Sequence, residues 1–214
     1  MWQRPFCSHY ITRLYFVKKD RVGAFCFPHR EGAIMAVKTY SLAKDGNTKL
    51  SENFAVKEFR CWDGSDTILI SGELVDLLQL IRLHFGKPVL INSAYRTKTH
   101  NTAVGGSSRS QHMLGTAADI HIMGVPPLEV AQYAEKLMPD SGGIGLYNVF
   151  THVDVRTKRT RWDSTGGVET AVDGFTVDWA AKVKERFGFE DQTIEYLGGY
   201  KFADSLMEKL ATKE

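Results

Sequence analysis

The chain has 214 residues, 43% hydrophobic and 24% charged, which is enough for one sizeable core and a small second unit. Its net charge is only +2 and no Lys/Arg stripe interleaves with aromatics, which argues against nucleic acid as a partner; no run of 18 apolar residues is present that would span a membrane. Three cysteines cannot all pair and follow no framework spacing, which points to synthesis in a reducing compartment.

Residues 1–34 differ in character from the rest of the chain. They carry six basic and two acidic side chains, a net +4 that leaves −2 for the remainder, and hold two of the three cysteines without clear periodicity. The expectation is an atypical leader foreign to the fold, with Met35 as the natural start, and it lacks the apolar core of a secretory signal. A metal site built from Cys7, His9, Cys26 and His29 is the weaker reading, since turn glycines and strand signals do not surround both pairs.

The alternation Val56-Lys57-Glu58-Phe59 suggests a short strand or the approach to one, and Asp63-Gly64-Ser65 is turn chemistry. Ser71 precedes Leu74, Val75, Leu77, Leu78, Ile81 and Phe85 at helical spacing, closed by Gly86 and Pro88, so a core helix capped by Ser71 is predicted. Val89-Leu90-Ile91 predicts a buried strand delivering Arg96 at its end, and residues 97–104 a short helix before the Gly105-Gly106 turn. Residues 117–122 read as a strand, 127–137 as a helix with Pro in its first turn, and 143–147 and 150–156 as two further strands. Helices and strands segregate, so the fold class is α+β around a mainly antiparallel sheet. Cys61, with no obvious base, reads as packing.

The chemistry concentrates in Ser110-Gln111-His112-Met113-Leu114-Gly115-Thr116-Ala117-Ala118-Asp119 and in Thr151-His152-Val153-Asp154, whose His152 stands 33 positions after Asp119. Two imidazoles and a carboxylate make three metal ligands and leave the fourth tetrahedral position of Zn²⁺ open. The seven-residue interval from His112 to Asp119, with Gly115 between, suits a loop entering a strand; ligands on one helical face would lie three or four apart. Histidines and aspartates are more often satisfied core or surface groups than ligands, so the flanking residues decide the reading.

Upstream run Ile91-Asn92-Ser93-Ala94-Tyr95-Arg96, then Asn101 and Val104-Gly105-Gly106. In order and interval these elements follow the pattern S-x-Y/W-R, V-G-G, S-x-H-x-x-x-G-x-A-x-D and a closing strand with T-H-V or V-H-V-D. Residues 36–163 therefore resemble the zinc D-alanyl-D-alanine peptidases, metallopeptidase family fifteen, with phage endolysins among its members. The resemblance implies the fold shared with hedgehog signalling domains. It also implies Zn²⁺ as cofactor, His112, Asp119 and His152 as its ligands, Arg96 as the cation that holds substrate and Ser110 as a hydrogen-bonding group toward it. A guanidinium suits carboxylate binding; Ser110 could equally cap a turn. The implied activity is hydrolysis of a peptide bond in peptidoglycan stem peptides, as carboxypeptidase or endopeptidase, by a protein made in the cytoplasm and acting at the cell wall.

The sequence departs from that family where rate is decided. Relatives place an acidic base three residues before the last ligand, and some a histidine two before it; here those positions are Val149 and Phe150, and neither can move a proton. Asp154 shares the strand face of His152 and is the first candidate for the base, or else it accepts the second ring N–H of a liganding histidine. Tyr147 is the next candidate, as a donor to a developing oxyanion, and His121, on the face of Asp119, the third. The missing acid also motivates an alternative, a non-catalytic, zinc-stabilised wall-binding module, such as one carried by a phage particle. The domains expected are 1–34, the peptidase domain 35–163 and a helical extension 164–214. Val177, Trp179, Ala180, Val183 and Phe187, then Phe202, Leu206 and Leu210, repeat at helical spacing there. A hairpin packed on the main domain is favoured over a wall-binding or dimerising module.

Overall fold

The computed structural model describes residues 36–176. The leader with its Cys/His pairs, and the helices expected from residue 177 onward, lie outside the described residues.

Strands β1 (Val37–Ser41) and β2 (Thr67–Ser71) form an antiparallel pair, and helix α1 (Leu42–Asp45) follows β1 directly. Where alternation at residues 56–59 suggests a strand, the chain forms a 3-10 turn instead. The reason is packing: Val56 and Phe59 stand three apart, and one turn of 3-10 helix sends both into the core, whereas a strand would point them to opposite sides. The Glu58 carboxylate secures the turn by accepting the Ala55 N–H at 2.7 Å. Helix α2 (Gly72–Phe85) buries Leu74, Val75, Leu77, Leu78 and Ile81 and stops at Gly86, whose φ of 60° is left-handed. Ser71 sits at the expected cap position, but its side chain makes no capping bond; its N–H is used on the Gly115 carbonyl, 2.8 Å away.

The remaining elements are β3 (Val89–Ser93), α3 (Lys98–Ala103), a 3-10 turn over Gln111–Leu114, β4 (Ala117–Ile122), α4 (Pro127–Leu137), β5 (Gly143–Leu146), β6 (Thr151–Asp154), β7 (Thr160–Asp163) and β8 (Thr170–Ala171). The strands β3 to β8 build one sheet in the order β3-β4-β6-β5-β7-β8, antiparallel throughout except for β5 beside β7. The class is α+β. Alternation along each strand divides the sheet into two faces. Ala118, Ile120 and Ile122 of β4, Ile144 and Leu146 of β5 and Val153 of β6 join the core with the apolar sides of α2 and α4. The opposite face presents Asp119, His121, His152, Asp154, Gly143, Gly145 and Trp162.

The sheet does not end at residue 163. Residues 164–169 turn the chain back, β8 pairs with β7, and Phe175, 6% exposed, enters the core. A cation anchors this end on the helix side. The Arg161 side chain is fully buried, gives its Nε–H to Glu135 Oε2 at 2.6 Å, and directs its other donors at the carbonyls of Met138, Ser141 and Gly142 just past α4. Carbonyls at a helix C-terminus carry partial negative charge and lack intrahelical donors, so the guanidinium satisfies both.

Burial alone would raise the Glu135 pKa, but bonds from Arg161 and Arg159 outweigh it and hold the carboxyl below its ordinary 4.5. The stabilisation this supplies is complete above the unfolded-state value and is lost as pH falls through the lower folded-state value. Glu135→Ala strands a buried guanidinium and should cost about 3–5 kcal/mol in urea unfolding at neutral pH. The loss relative to wild type should shrink as the titration is repeated at progressively acid pH; a constant difference would show that the carboxylate charge is not what matters.

Candidate metal centre

The ligand row is set by strand register. Asp119 lies directly opposite His152 across β4 and β6, and His152 opposite Gly145 across β6 and β5. Residues far apart in sequence thus become neighbours on the open face. His112 arrives from the 3-10 turn over residues 111–114, where Ser110 caps the turn by accepting the His112 N–H at 3.3 Å. Gly115 ends that turn at φ 69°, and a Cβ there would lie 2.3 Å from the Leu69 carbonyl oxygen, so both the turn and the close approach require glycine.

The three donor atoms then converge. His112 Nε2 is 3.2 Å from His152 Nδ1 and 3.2 Å from Asp119 Oδ1, and the latter two are 2.8 Å apart. Around a tetrahedral ion with bonds of about 2.0–2.1 Å, neighbouring donors stand roughly 3.3 Å from one another. These side chains already outline one face of such a tetrahedron, and the N₂O donor set is one that Zn²⁺ takes. All three residues are buried.

Each imidazole is held in the tautomer a ligand needs. His112 Nδ1 sits 2.7 Å from the Ala94 carbonyl, which can only accept, so Nδ1 carries the proton and Nε2 presents its lone pair. His152 Nε2 donates to Asp154 Oδ2 at 3.1 Å, which turns Nδ1 inward. Asp154 is wholly buried and its oxygens also accept from the N–H groups of Gly143 and Arg156 and from the Arg156 guanidinium. Arg156 in turn lies 5.9 Å from the Trp162 ring centre.

The charges follow from these contacts. Burial opposes ionisation of Asp119, yet hydrogen bonds to His112 and His152 overcome it and hold the carboxyl far below its usual range. His152 is lowered by burial and raised by Asp119 and Asp154, which prevail and push it up to about 9. Asp154 is held low against burial by His152 and Arg156. Burial draws His112 down, toward the neutral form that a ligand requires. A proton on His152 Nδ1 and a metal ion compete for the same lone pair.

Arg96 gives its Nη2–H to Asp119 Oδ2 at 2.5 Å and its Nε–H to Ser93 Oγ at 2.7 Å, so one of its five donors braces the Asp119 carboxylate and a second ties the guanidinium to β3. Ser110 stands at the turn that carries His112. Tyr147 follows β5, stacks on Phe150 with ring centres 4.3 Å apart, and its hydroxyl donates to Glu169 Oε1 and accepts from Trp162 Nε1–H. His121 leans toward the sheet edge, its Nδ1 2.6 Å from Asn92 Oδ1. Val149 is 72% exposed.

Sequence reasoning did not single out Trp162, Arg156, Glu169, Gly143 or Gly145. The Trp162 ring packs 5.0 Å from that of His152. It lies where a Gly145 Cβ would be, 2.3 Å from the nearest indole atom, and a Gly143 Cβ would strike Asp154 Oδ2 at 2.1 Å. Two glycines alternating in a four-residue strand were the available signal, because glycine inside a strand marks a close approach by another group.

A buried cluster of two histidines and an aspartate that could hold a metal ion, on the open face of an α+β sheet, is thus the class of site present. The family model for peptidase M15 matches residues 50–154, a span that holds His112, Asp119 and His152. The zinc D-Ala-D-Ala carboxypeptidase of Streptomyces albus G is 39% identical over 93 residues, covering 39% of this chain and 36% of that protein. Through residues 50–154 the chain is thus similar to the peptidase M15 family, and it spans about a third of the length of the curated relative it matches.

Gly143→Ala should push the Asp154 carboxylate off His152 and weaken Zn²⁺ binding about 10- to 100-fold, measured by competition calorimetry on protein whose circular dichroism is unchanged. Equal affinity would remove Asp154 from the support of the ligand.

Proposed function

We propose that the domain is a zinc peptidase that hydrolyses a peptide bond of bacterial peptidoglycan stem peptides, acting at the cell wall. The observation that carries this reading is the convergence of His112 Nε2, Asp119 Oδ1 and His152 Nδ1 at the edge lengths of a tetrahedral face. The substrate class rests on the match of residues 50–154 to the M15 family model and on the name of the Streptomyces relative.

Zn²⁺ bound there supplies Lewis acidity, polarising the scissile carbonyl and lowering the pKa of water. The chain does the rest. Asp154, wholly buried with its oxygens committed to His152, Gly143 and Arg156, fixes the imidazole and is not itself the base. Arg96 retains donors beyond those given to Asp119 and Ser93, and these hold a substrate carboxylate or backbone carbonyl while keeping Asp119 in place. The Ser110 hydroxyl, accepting from the His112 N–H, has its own proton to give to substrate. Tyr147 remains protonated, its pKa pushed up to about 12 chiefly by burial and also by Glu169, which suits a hydrogen-bond donor.

The exposed Val149 and the stacked Phe150, in the positions where relatives carry acid or histidine, favour one second reading: a zinc-stabilised module that grips wall without cutting it, in a phage particle among other settings. Purified zinc-loaded protein incubated with muropeptides separates the two. Hydrolysis that stops with a chelator and returns with added Zn²⁺ is the expected outcome, free D-alanine marking a carboxypeptidase and internal fragments an endopeptidase. Pelleting on wall with no product would establish the binding module.

A further inference from the structure

Proton transfer has no group of its own in the ligand row. The carboxylates closest to the metal are both spent: Asp119 is a ligand, and Asp154 is fully buried beneath five hydrogen-bond donors. The next row of the same face lies one step along the strands. Leu146 aligns with Asp163 and Asp163 with Thr170, so one residue further Tyr147, Ser164 and Glu169 follow, with Phe150 alongside Tyr147 through the Tyr147 N–H to Phe150 carbonyl bond of 3.1 Å. Tyr147 shares its face with Gly145, which stands opposite His152, and Glu169 shares its face with Ala171, which stands opposite Trp162.

Contacts in this row are specific. Tyr147 donates to Glu169 Oε1 at 3.0 Å, and Trp162 Nε1 donates to the Tyr147 oxygen at 3.1 Å. The indole that holds the phenol also packs on the His152 ring. Phe150 stacks on the phenol and fixes its plane. Glu169 itself is exposed and belongs to the turn between β7 and β8, beyond residues 50–154.

We propose that Glu169 is the proton acceptor of this site, reached through the hydroxyl of Tyr147. The inference rests on the peptidase reading above. As the attacking water oxygen bonds to the carbonyl carbon, its proton passes to the Tyr147 oxygen while the Tyr147 proton passes to Glu169. As the carbon–nitrogen bond breaks, the same two transfers run backwards and deliver the proton to the leaving amine. The phenol stays neutral at both ends of the relay, in keeping with a tyrosine that holds its proton tightly. Glu169 returns to a carboxylate. Tyr147 touches the reacting atoms, and Glu169 works through it.

The test uses the full zinc-loaded chain and a muropeptide that the wild type cleaves. Glu169→Gln keeps an acceptor for the Tyr147 hydroxyl but cannot take a proton. It should lower kcat about 10²- to 10⁴-fold with KM and zinc stoichiometry essentially unchanged. Tyr147→Phe should lose a similar factor, and the double variant should be no slower than the worse single one, as for residues acting as a unit. Formate should restore part of the rate to Glu169→Ala and none to Tyr147→Phe, a response that a purely structural glutamate would not give. Wild-type kcat in Glu169→Gln with zinc bound overturns the proposal, as does a His121→Asn variant that alone abolishes turnover with zinc retained. Zinc-loaded wild type that cleaves no muropeptide overturns the peptidase reading and this relay with it, an outcome distinct from an active enzyme indifferent to residue 169.

Discussion

The direct pairing of Asp119 with His152 across β4 and β6 is the constraint on which the site depends. A strand slipped by one residue turns all its side chains to the other face, so this register cannot drift without sending His152 into the core and Val153 into the metal position. What enforces it is the opposite face. Ile120, Ile144 and Val153 are completely buried against the helices, and a slip would exchange them for Asp119, Gly145 and His152. The hydrophobic core thus specifies the metal geometry without touching the metal. His112, whose turn lies outside the sheet, needs a separate device, and Gly115 packed against the backbone of Leu69 supplies it.

The same face carries a gradient of crowding that decides which groups can react. Near the ligands, Gly143 and Gly145 give up their side-chain volume so that the Asp154 carboxylate and the Trp162 indole can close over His152. That closure removes Asp154 from water and commits its oxygens to donors, which suits a group that orients an imidazole and disqualifies one that must exchange protons with a substrate. One strand step away the crowding relaxes. Tyr147 is tethered by Trp162 and Glu169 but belongs to no buried ion pair, and Glu169 is exposed. Preorganised ligands and a proton carrier thus occupy different rows because their physical requirements conflict.

Much of this was legible in the chain. Residues 117–122 and 127–137 fall where hydrophobic period and the proline at the helix start put them, and the helix ended by Gly86 runs as its apolar spacing dictates. The grouping of His112, Asp119 and His152 could be read because a loop glycine and a strand pair impose a sequence interval. The turn at residues 56–59 was not legible, because four residues with apolar ends are too few to fix a period, and only the core shows that Val56 and Phe59 must face the same side. Nor was the use of Arg161, since an arginine beside Arg159 and Lys158 looks like surface charge and its burial depends on the Glu135 carboxylate and the carbonyls past α4, all more than fifteen residues away. Roles resting on cross-strand neighbours, such as Trp162 over Gly145, need the register before they can be assigned.

Two guanidinium–carboxylate contacts on opposite faces of the sheet, each with one partner fully buried, show how charge is managed in so small a fold. On the helix side, Arg161 with Glu135 closes the end of α4 and holds residues 173–175 in place: Arg159 reaches the Asp173 carbonyl, and Glu135 accepts the Phe175 N–H. On the open side, Arg156 with Asp154 presents a carboxylate to His152. Unpaired, any of these groups would be costly to bury, so each pair stays together or opens together. They meet in one segment, since Arg156, Arg159 and Arg161 all lie between β6 and the middle of β7. That segment links the chain beyond residue 163 to the candidate site: Arg159 and Arg161 hold residues 173–175 and the end of α4, and Arg156, a few residues earlier, braces the carboxylate that accepts from His152. A contribution from the turn after β7, as Glu169 would make, therefore comes from a part of the chain that is continuous with the site even though it lies outside the span that the family model matches.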